Sequence, residues 1–163
     1  SFKKQKSIKN DCLVYFKGRE SSELDFILDK LKSKNITYQL FTYGKYNNLE
    51  MIKVANFSRF GIIYGRTESQ GIAINEIMST GLPLLVFNST VNNYDGKVYE
   101  GTTVPYWNDN CGELIEDLDD FDNLFKNFIN NVELNKYKSQ KFIIDKLSYE
   151  SMFNKLNSIF NNF

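Results

Sequence analysis

Short apolar runs alternate with amphipathic segments along the chain from residue 12 to about residue 130. The runs are rich in β-branched and aromatic residues and are bounded by turn-forming residues, so they predict strands. The predicted strands are 12–16, 36–44, 60–65, 83–88 and 112–117. Apolar residues at spacings of three and four predict the helices between them. These are a helix capped by Ser21 or Ser22 and ending at Asn35, and helices over 48–57 and 70–80.

The last third of the chain predicts two more amphipathic helices. One carries Phe121, Leu124, Phe125 and Phe128; the other carries Tyr149, Met152, Phe153, Leu156, Ile159 and Phe160 and is capped by Ser148. Both apolar stripes are expected to face the core. The segment 91–112 is expected to be rich in loops, and VPYW (104–107) is interpreted as a packed loop rather than an acceptor-side wall.

Alternating strands and helices predict one α/β domain, a three-layer Rossmann-like parallel sheet with helices on both faces. We expect a basic lead-in or linker over 1–10 and the domain itself over 11–163. Ligands of such sheets bind beyond the carboxyl ends of the strands. The candidate loops are therefore 17–22, 43–48, 65–71 and 88–111.

Composition excludes several classes of function. The 163 residues contain 20 basic and 20 acidic side chains, so no broad basic field favours nucleic acid. The absence of histidine excludes Ser-His and Cys-His catalysis. No membrane-spanning run or signal peptide is visible, and the expected location is cytoplasmic with Cys12 and Cys111 as reduced thiols. The first residue, Ser1, suggests a piece of a longer chain.

The stretch TESQGIAINEIMSTGLP (67–83) carries the candidate chemistry. It begins as the loop after a predicted strand and continues into a helix that starts near Ser69–Gly71. The first amides of that helix lack intrahelical partners and suit a phosphate group. Glu68 precedes the helix and Glu76 lies inside it, where a carboxylate can accept hydrogen bonds from vicinal hydroxyls. These features suit a ligand with phosphates in its middle and hydroxyls at both ends, as in a nucleotide sugar.

The segment ESQGIAINEIMSTGLPLLVF resembles the signature of GT-B glycosyltransferases, especially the large retaining group called glycosyltransferase family four. Glu68 and Glu76 match its pair of glutamates separated by seven residues, and Gly71, Gly81 and Pro83 match the positions around them. The resemblance covers roughly residues 11–160, although only 66–88 are specific. It implies the carboxy-terminal, donor-binding half of that fold.

The resemblance also implies roles for individual residues. Glu76 would hold the ribose hydroxyls and Glu68 would lie beside the donor sugar and orient it. The diphosphate would meet the helix start at Ser69, Gln70, Gly71 and Ile72 and the first loop at Lys17, Gly18 and Arg19, with Tyr43 as a further donor-binding residue. The family lysine that follows the Gly-Arg pair is absent here, and Lys17 or Arg66 is the expected substitute.

The predicted activity is transfer of a hexose-type sugar from a UDP- or GDP-linked donor to an acceptor hydroxyl of unknown identity. An amino-terminal GT-B domain would complete the enzyme. No metal and no cofactor are expected, because the GT-B class does not need a bound metal and no DxD motif is present. A solvated helix entry is the preferred interpretation of the acidic residues over 109–120. Three alternatives stay open: a GT-B-type nucleotide-sugar epimerase, a phosphoacceptor receiver domain and a non-catalytic interaction domain.

Overall fold

The computed structural model describes residues 10–116 and 118–161, except for the side chain of Asp120. Except for Asn10, the predicted lead-in lies outside these residues, as does Asp117. The strands are β1 (Asn10–Phe16), β2 (Tyr38–Thr42), β3 (Ser58–Tyr64), β4 (Leu84–Phe87), β5 (Val91–Tyr94), β6 (Lys97–Glu100) and β7 (Gly112–Ile115). The helices are α1 (Ser21–Ser33), α2 (Asn48–Asn56), α3 (Ile72–Ser79), α4 (Phe121–Glu133), α5 (Ser139–Leu147) and α6 (Tyr149–Phe160), with a 3₁₀ turn over Leu118–Asp120.

Five strands form one parallel sheet in the order β2-β1-β3-β4-β7. The chain moves outward from β1 to β2 and then returns to the other side of β1 to form β3. The sheet therefore has a topological switch point between β1 and β3, where a crevice opens at the carboxyl ends of the strands. Phe16 lies beside both Thr42 and Tyr64 in the register, so these strands end at the same level.

Two hydrophobic clusters hold the sheet and its helices together. Leu13 and Tyr15 of β1 belong to a cluster that includes buried residues of α2, α3 and α5. Val14 and Phe16 belong to a second cluster with buried residues of α1 and α4. Successive residues of a strand point to opposite faces, so β1 contributes to both clusters in turn. The α/β parallel sheet flanked by helices is therefore confirmed, consistent with a Rossmann-like fold.

The prediction that the apolar stripe faces the core holds for only one of the two amphipathic helices near the end of the chain. In α4, Phe121, Phe125 and Phe128 are buried, as the stripe predicted. The same prediction is wrong for α6, in which no residue is buried and Phe160 is 73% exposed. The helix α5, which sequence reasoning did not find, packs between α3 and α6 and contributes Phe142 to the first cluster. With α5 next to α3, α6 contacts α5 instead of the core.

The segment expected to be a loop contains a hairpin, β5–β6, paired antiparallel. Its two-residue turn is Asp95-Gly96, and both residues have positive φ (50° and 71°), as a type I′ turn requires. Of the VPYW segment, Val104 is buried while Tyr106 and Trp107 pack against the first cluster, which supports the packed-loop interpretation.

Two helix starts can be compared with their predicted caps. The predicted cap of α6 is confirmed, because the Ser148 hydroxyl accepts a hydrogen bond from the Ser151 amide at 3.1 Å. The predicted cap of α1 is wrong: its N-cap is Glu20, whose amide donates to the Glu23 carboxylate at 3.2 Å. In the described part of the chain, no helix is both long and apolar enough to cross a membrane.

Candidate functional site

A cleft of about 460 Å³ opens at the carboxyl ends of β1, β2 and β3, beside the switch point of the sheet. We call it the carboxyl-end cleft. Its walls come from the end of β1, the loop between β2 and α2, and the loop and first turns of α3. It is lined by Tyr15, Lys17, Tyr43, Tyr46, Asn48, Glu68, Ser69, Gln70, Gly71, Ile72, Ala73, Ile74 and Glu76. Most of the predicted site residues are therefore in one place; Gly18 and Arg19 are outside the lining.

Lys17 and Glu68 form an ion pair inside the cleft. The Lys17 Nζ and Glu68 Oε1 atoms are 2.6 Å apart, and the Lys17 ammonium also lies 4.3 Å from the centre of the Tyr43 ring. The backbone fixes both residues, because the Lys17 amide donates to the Tyr64 carbonyl at 2.9 Å and the Glu68 amide to the Thr102 carbonyl at 2.8 Å. The Glu68 side chain is only 14% exposed. Water therefore screens this pair less than it screens a surface ion pair.

The start of α3 forms the floor of the cleft. The helix begins at Ile72, slightly later than predicted, with Gly71 as its N-cap in the left-handed region (φ 60°, ψ 37°). A Cβ atom at Gly71 would lie 3.4 Å from Pro105 Cδ, so the position favours glycine through its backbone angles more than through crowding. The first intrahelical bond runs from the Asn75 amide to the Gly71 carbonyl at 2.9 Å. The three preceding amides have no intrahelical acceptor and carry the positive end of the helix dipole.

Glu76 lies on the second turn of α3 and is half-buried at the edge of the cleft. Within the described residues its carboxylate forms no ion pair or hydrogen bond, so it is available to a ligand. One lysine and two glutamates line the cleft, which gives the lining a formal net charge of −1. Such a lining offers more acceptors for hydroxyl groups than cationic groups for phosphate.

Arg19 lies on the face of the sheet that packs against α1 and α4. Its guanidinium donates from Nε to the Gly65 carbonyl at 2.6 Å and from a terminal nitrogen to the Phe87 carbonyl at 3.2 Å. It also stacks 4.5 Å from the ring centre of Tyr64, a residue of the second cluster. These contacts join the carboxyl ends of β3 and β4. The diphosphate role that the resemblance implies for Arg19 stays a prediction.

Gly18 and Arg66 are also engaged with each other rather than with the cleft. Gly18 has a left-handed backbone (φ 67°), and its carbonyl accepts a hydrogen bond from Arg66 Nε. Arg66 was an expected substitute for the family lysine. In this structure its Nε atom serves the turn after β1, and Lys17 is the cation that lines the cleft.

Sequence reasoning missed five residues of the lining, namely Tyr15, Tyr46, Asn48, Ala73 and Ile74. The Tyr15 and Tyr46 rings meet edge to face with centres 5.8 Å apart. Burial, and then the hydrogen bond with Tyr46, raise the pKa of Tyr15 far above its usual value, so its hydroxyl stays protonated. Tyr15 is part of the apolar run of β1. Only the alternation of strand side chains could have indicated that it points toward the cleft side.

Comparisons with protein-family models, curated proteins and solved structures find no match to this chain. Among the residues that the structure describes, no group of three or more acidic, cysteine or histidine side chains is arranged to hold a metal ion.

Proposed function

We propose that the chain is the donor-binding domain of a GT-B glycosyltransferase that transfers a hexose-type sugar from a UDP- or GDP-linked donor. The observation that carries the proposal is the grouping of Lys17, Glu68, Glu76 and the start of α3 around one cleft at the switch point of a parallel sheet. The two hydrophobic clusters support the three-layer arrangement of that domain.

The proposed ligand fits the cleft group by group. The diphosphate lies against the first amides of α3, which have no intrahelical acceptor, and Lys17 supplies the cationic contact. Glu76, whose carboxylate is available, accepts hydrogen bonds from the ribose hydroxyls. Glu68 lies on the other side of Gly71 in the chain and accepts hydrogen bonds from the sugar hydroxyls. The exposed Tyr43 ring offers an apolar face at the rim.

In the proposed reaction the bond between the sugar anomeric carbon and the diphosphate oxygen breaks, and the electron pair leaves with the diphosphate. The acceptor oxygen forms the new bond to that carbon, and its proton passes to an oxygen of the departing diphosphate. Lys17 and the α3 amides stabilise the charge that develops on the leaving diphosphate. An amino-terminal GT-B domain supplies the acceptor site in this proposal.

The receiver-domain alternative shares this sheet. The strand order found here is the flavodoxin-like order, in which β1 has β2 on one side and β3 on the other. A receiver domain needs an acidic cluster after its first strand, and this chain has Lys17-Gly18-Arg19 there. The chemistry of the cleft therefore favours a nucleotide sugar over a phosphoacceptor aspartate.

Calorimetric titration with UDP, GDP, their nucleosides uridine and guanosine, and the nucleotide sugars UDP-glucose and GDP-mannose tests the proposal. We expect saturable binding of one diphosphate, and weaker binding of that diphosphate after Lys17→Met. Glu133→Gln is the control, because it removes a charge from an ion pair at the opposite end of β3. If no nucleotide or nucleotide sugar binds, the proposal fails and the non-catalytic interaction domain becomes the better description.

A further inference from the structure

The cation of the carboxyl-end cleft already has a partner. Lys17 is the one basic residue of the lining, and its ammonium is 2.6 Å from the Glu68 carboxylate. Arg19 and Arg66 lie outside the lining: Arg19 donates to the Gly65 and Phe87 carbonyls, and Arg66 Nε donates to the Gly18 carbonyl. An anion that binds Lys17 therefore competes with Glu68 for the same ammonium.

We propose that Glu68 competes with the diphosphate for Lys17, and that this competition makes the cleft select a sugar-linked nucleoside diphosphate over the bare one. The inference rests on the function proposed above. A bare diphosphate that draws Lys17 away leaves the Glu68 carboxylate, which is 14% exposed, beside a second anion and without its cation. A carboxylate that loses its partner in a poorly hydrated position is costly.

A donor sugar offsets this loss. Its hydroxyl groups donate hydrogen bonds to Glu68 at the moment when Lys17 moves to the phosphates. The carboxylate then exchanges one charge-assisted contact for others, whereas the bare diphosphate offers it no donor. After transfer, the sugar hydroxyls depart and Glu68 recovers Lys17. The same competition therefore favours release of the nucleoside diphosphate product.

Calorimetry on the purified chain tests the inference with UDP against UDP-glucose and GDP against GDP-mannose. For the base that the wild type binds, Glu68→Gln should tighten binding of the bare diphosphate on the order of tenfold, since a neutral amide holds Lys17 less strongly. Binding of the sugar-linked form should tighten less or weaken. The preference for the sugar-linked ligand over the bare one should then fall. Glu133→Gln makes the same change of charge at the other end of the sheet and should leave both affinities unchanged.

The Lys17→Met background separates competition from simple repulsion. If Glu68 acts through Lys17, Glu68→Gln should change the affinity for the bare diphosphate far less in that background than in the wild type. An equal change in both backgrounds would mean that Glu68 only repels phosphate, and the inference would be overturned. Glu68→Ala carries the same test if Glu68→Gln does not fold.

The outcomes also separate this inference from the proposed function. A wild type that binds nucleoside diphosphates but is indifferent to Glu68→Gln overturns the inference and leaves the donor-binding function standing. A wild type that binds no nucleotide and no nucleotide sugar overturns both.

Discussion

The two ends of the parallel sheet both carry charged residues and a cleft, but the charged residues differ in whether they have partners within the protein. At the amino end, Arg59 lies between Asp11 at 3.3 Å and Glu133 at 3.4 Å, and Asp11 also accepts hydrogen bonds from Thr37. We call Asp11, Thr37, Arg59 and Glu133 the amino-end cluster. At the carboxyl end, the lining carries one lysine and two glutamates, and Glu76 forms no ion pair within the described residues.

This difference separates residues that hold the fold from residues that are available to a ligand. The amino-end cluster satisfies its charges within the protein, and its cleft is smaller, at about 230 Å³ against about 460 Å³. The carboxyl-end cleft also exposes 56% of Tyr43 and 66% of Ile72. Substitutions at the amino end should therefore cost stability, and substitutions in the carboxyl-end cleft should cost binding.

The largest effect is expected at Gly112, where β7 begins at the amino end of the sheet. A Cβ atom there would lie 1.7 Å from the Leu84 carbonyl oxygen, and the residue has φ of +147°. Gly112→Ala must therefore move the backbone of β4 or β7, and we expect a loss of at least about 4 kcal/mol in the free energy of unfolding. Urea unfolding followed by circular dichroism measures it.

Gly44→Ala is the matched control at the carboxyl end. Gly44 also has positive φ (75°), but a Cβ atom there meets nothing within 4 Å. Only the backbone preference remains, and it costs about 1 kcal/mol. Similar losses for the two variants would show that steric contact at β7 does not matter.

These glycines show what the sequence can and cannot predict. Gly71 and Glu68 are predicted as site residues because a loop after a strand must lie at the carboxyl end of the sheet. Glu76 is predicted because it lies in the helix that follows and matches the second glutamate of the GT-B signature. The clash at Gly112 depends on β4 and β7 being neighbours, which no local pattern contains. No local pattern indicates the direction of Arg19 either, since its acceptors are Gly65, directly after β3, and Phe87 of β4, which are 46 and 68 residues away.

The helices α4 and α6 also show that a local pattern does not predict which elements pack together. Both α4 and α6 have clear apolar stripes, but only α4 packs its stripe into the core. A period of 3.6 residues predicts an amphipathic helix and says nothing about what covers its apolar face. The hairpin, in contrast, could have been found: Asp95-Gly96 between alternating residues is a strong local signal for a type I′ turn.

Arg19 tests whether the carboxyl end also has structural residues. Arg19→Ala removes a charged donor from the carbonyls of Gly65 and Phe87, so we expect a loss of about 3 kcal/mol in the free energy of unfolding. Because the guanidinium is outside the cleft lining, affinities for a nucleoside and its diphosphate should fall by the same factor. A selective loss for the diphosphate, with stability retained, would instead support the role that the resemblance implies.

Glu76 tests whether a residue of the carboxyl-end cleft contributes to ligand binding and not to stability. Glu76→Gln weakens a charge-assisted contact to the ribose hydroxyls, and we expect binding of the nucleoside diphosphate to weaken by about 2 kcal/mol. The free energy of unfolding should change little, because the carboxylate forms no ion pair within the described residues. Calorimetry and urea unfolding on the same preparation measure the two quantities. Unchanged affinity would leave Glu76 as an ordinary helix-surface residue.

The smallest effect is expected from Asp11 in the amino-end cluster. Hydrogen bonds from Thr37, followed by the contact with Arg59, hold the pKa of Asp11 below its ordinary value of 3.8. A carboxyl whose pKa is lower in the folded state than in the unfolded state stabilises the fold above the unfolded pKa. That contribution is fully present at pH 7, begins to fade near pH 3.8 and is lost as the pH falls through the lower folded value.

Asp11→Asn should therefore cost about 1 kcal/mol at pH 7 and progressively less in acid. Urea unfolding of both proteins at pH 7, 4 and 3 gives the difference directly. A gap between wild type and Asp11→Asn that stays constant down to pH 3 would show that the Asp11 carboxylate charge does not stabilise the amino end of the sheet.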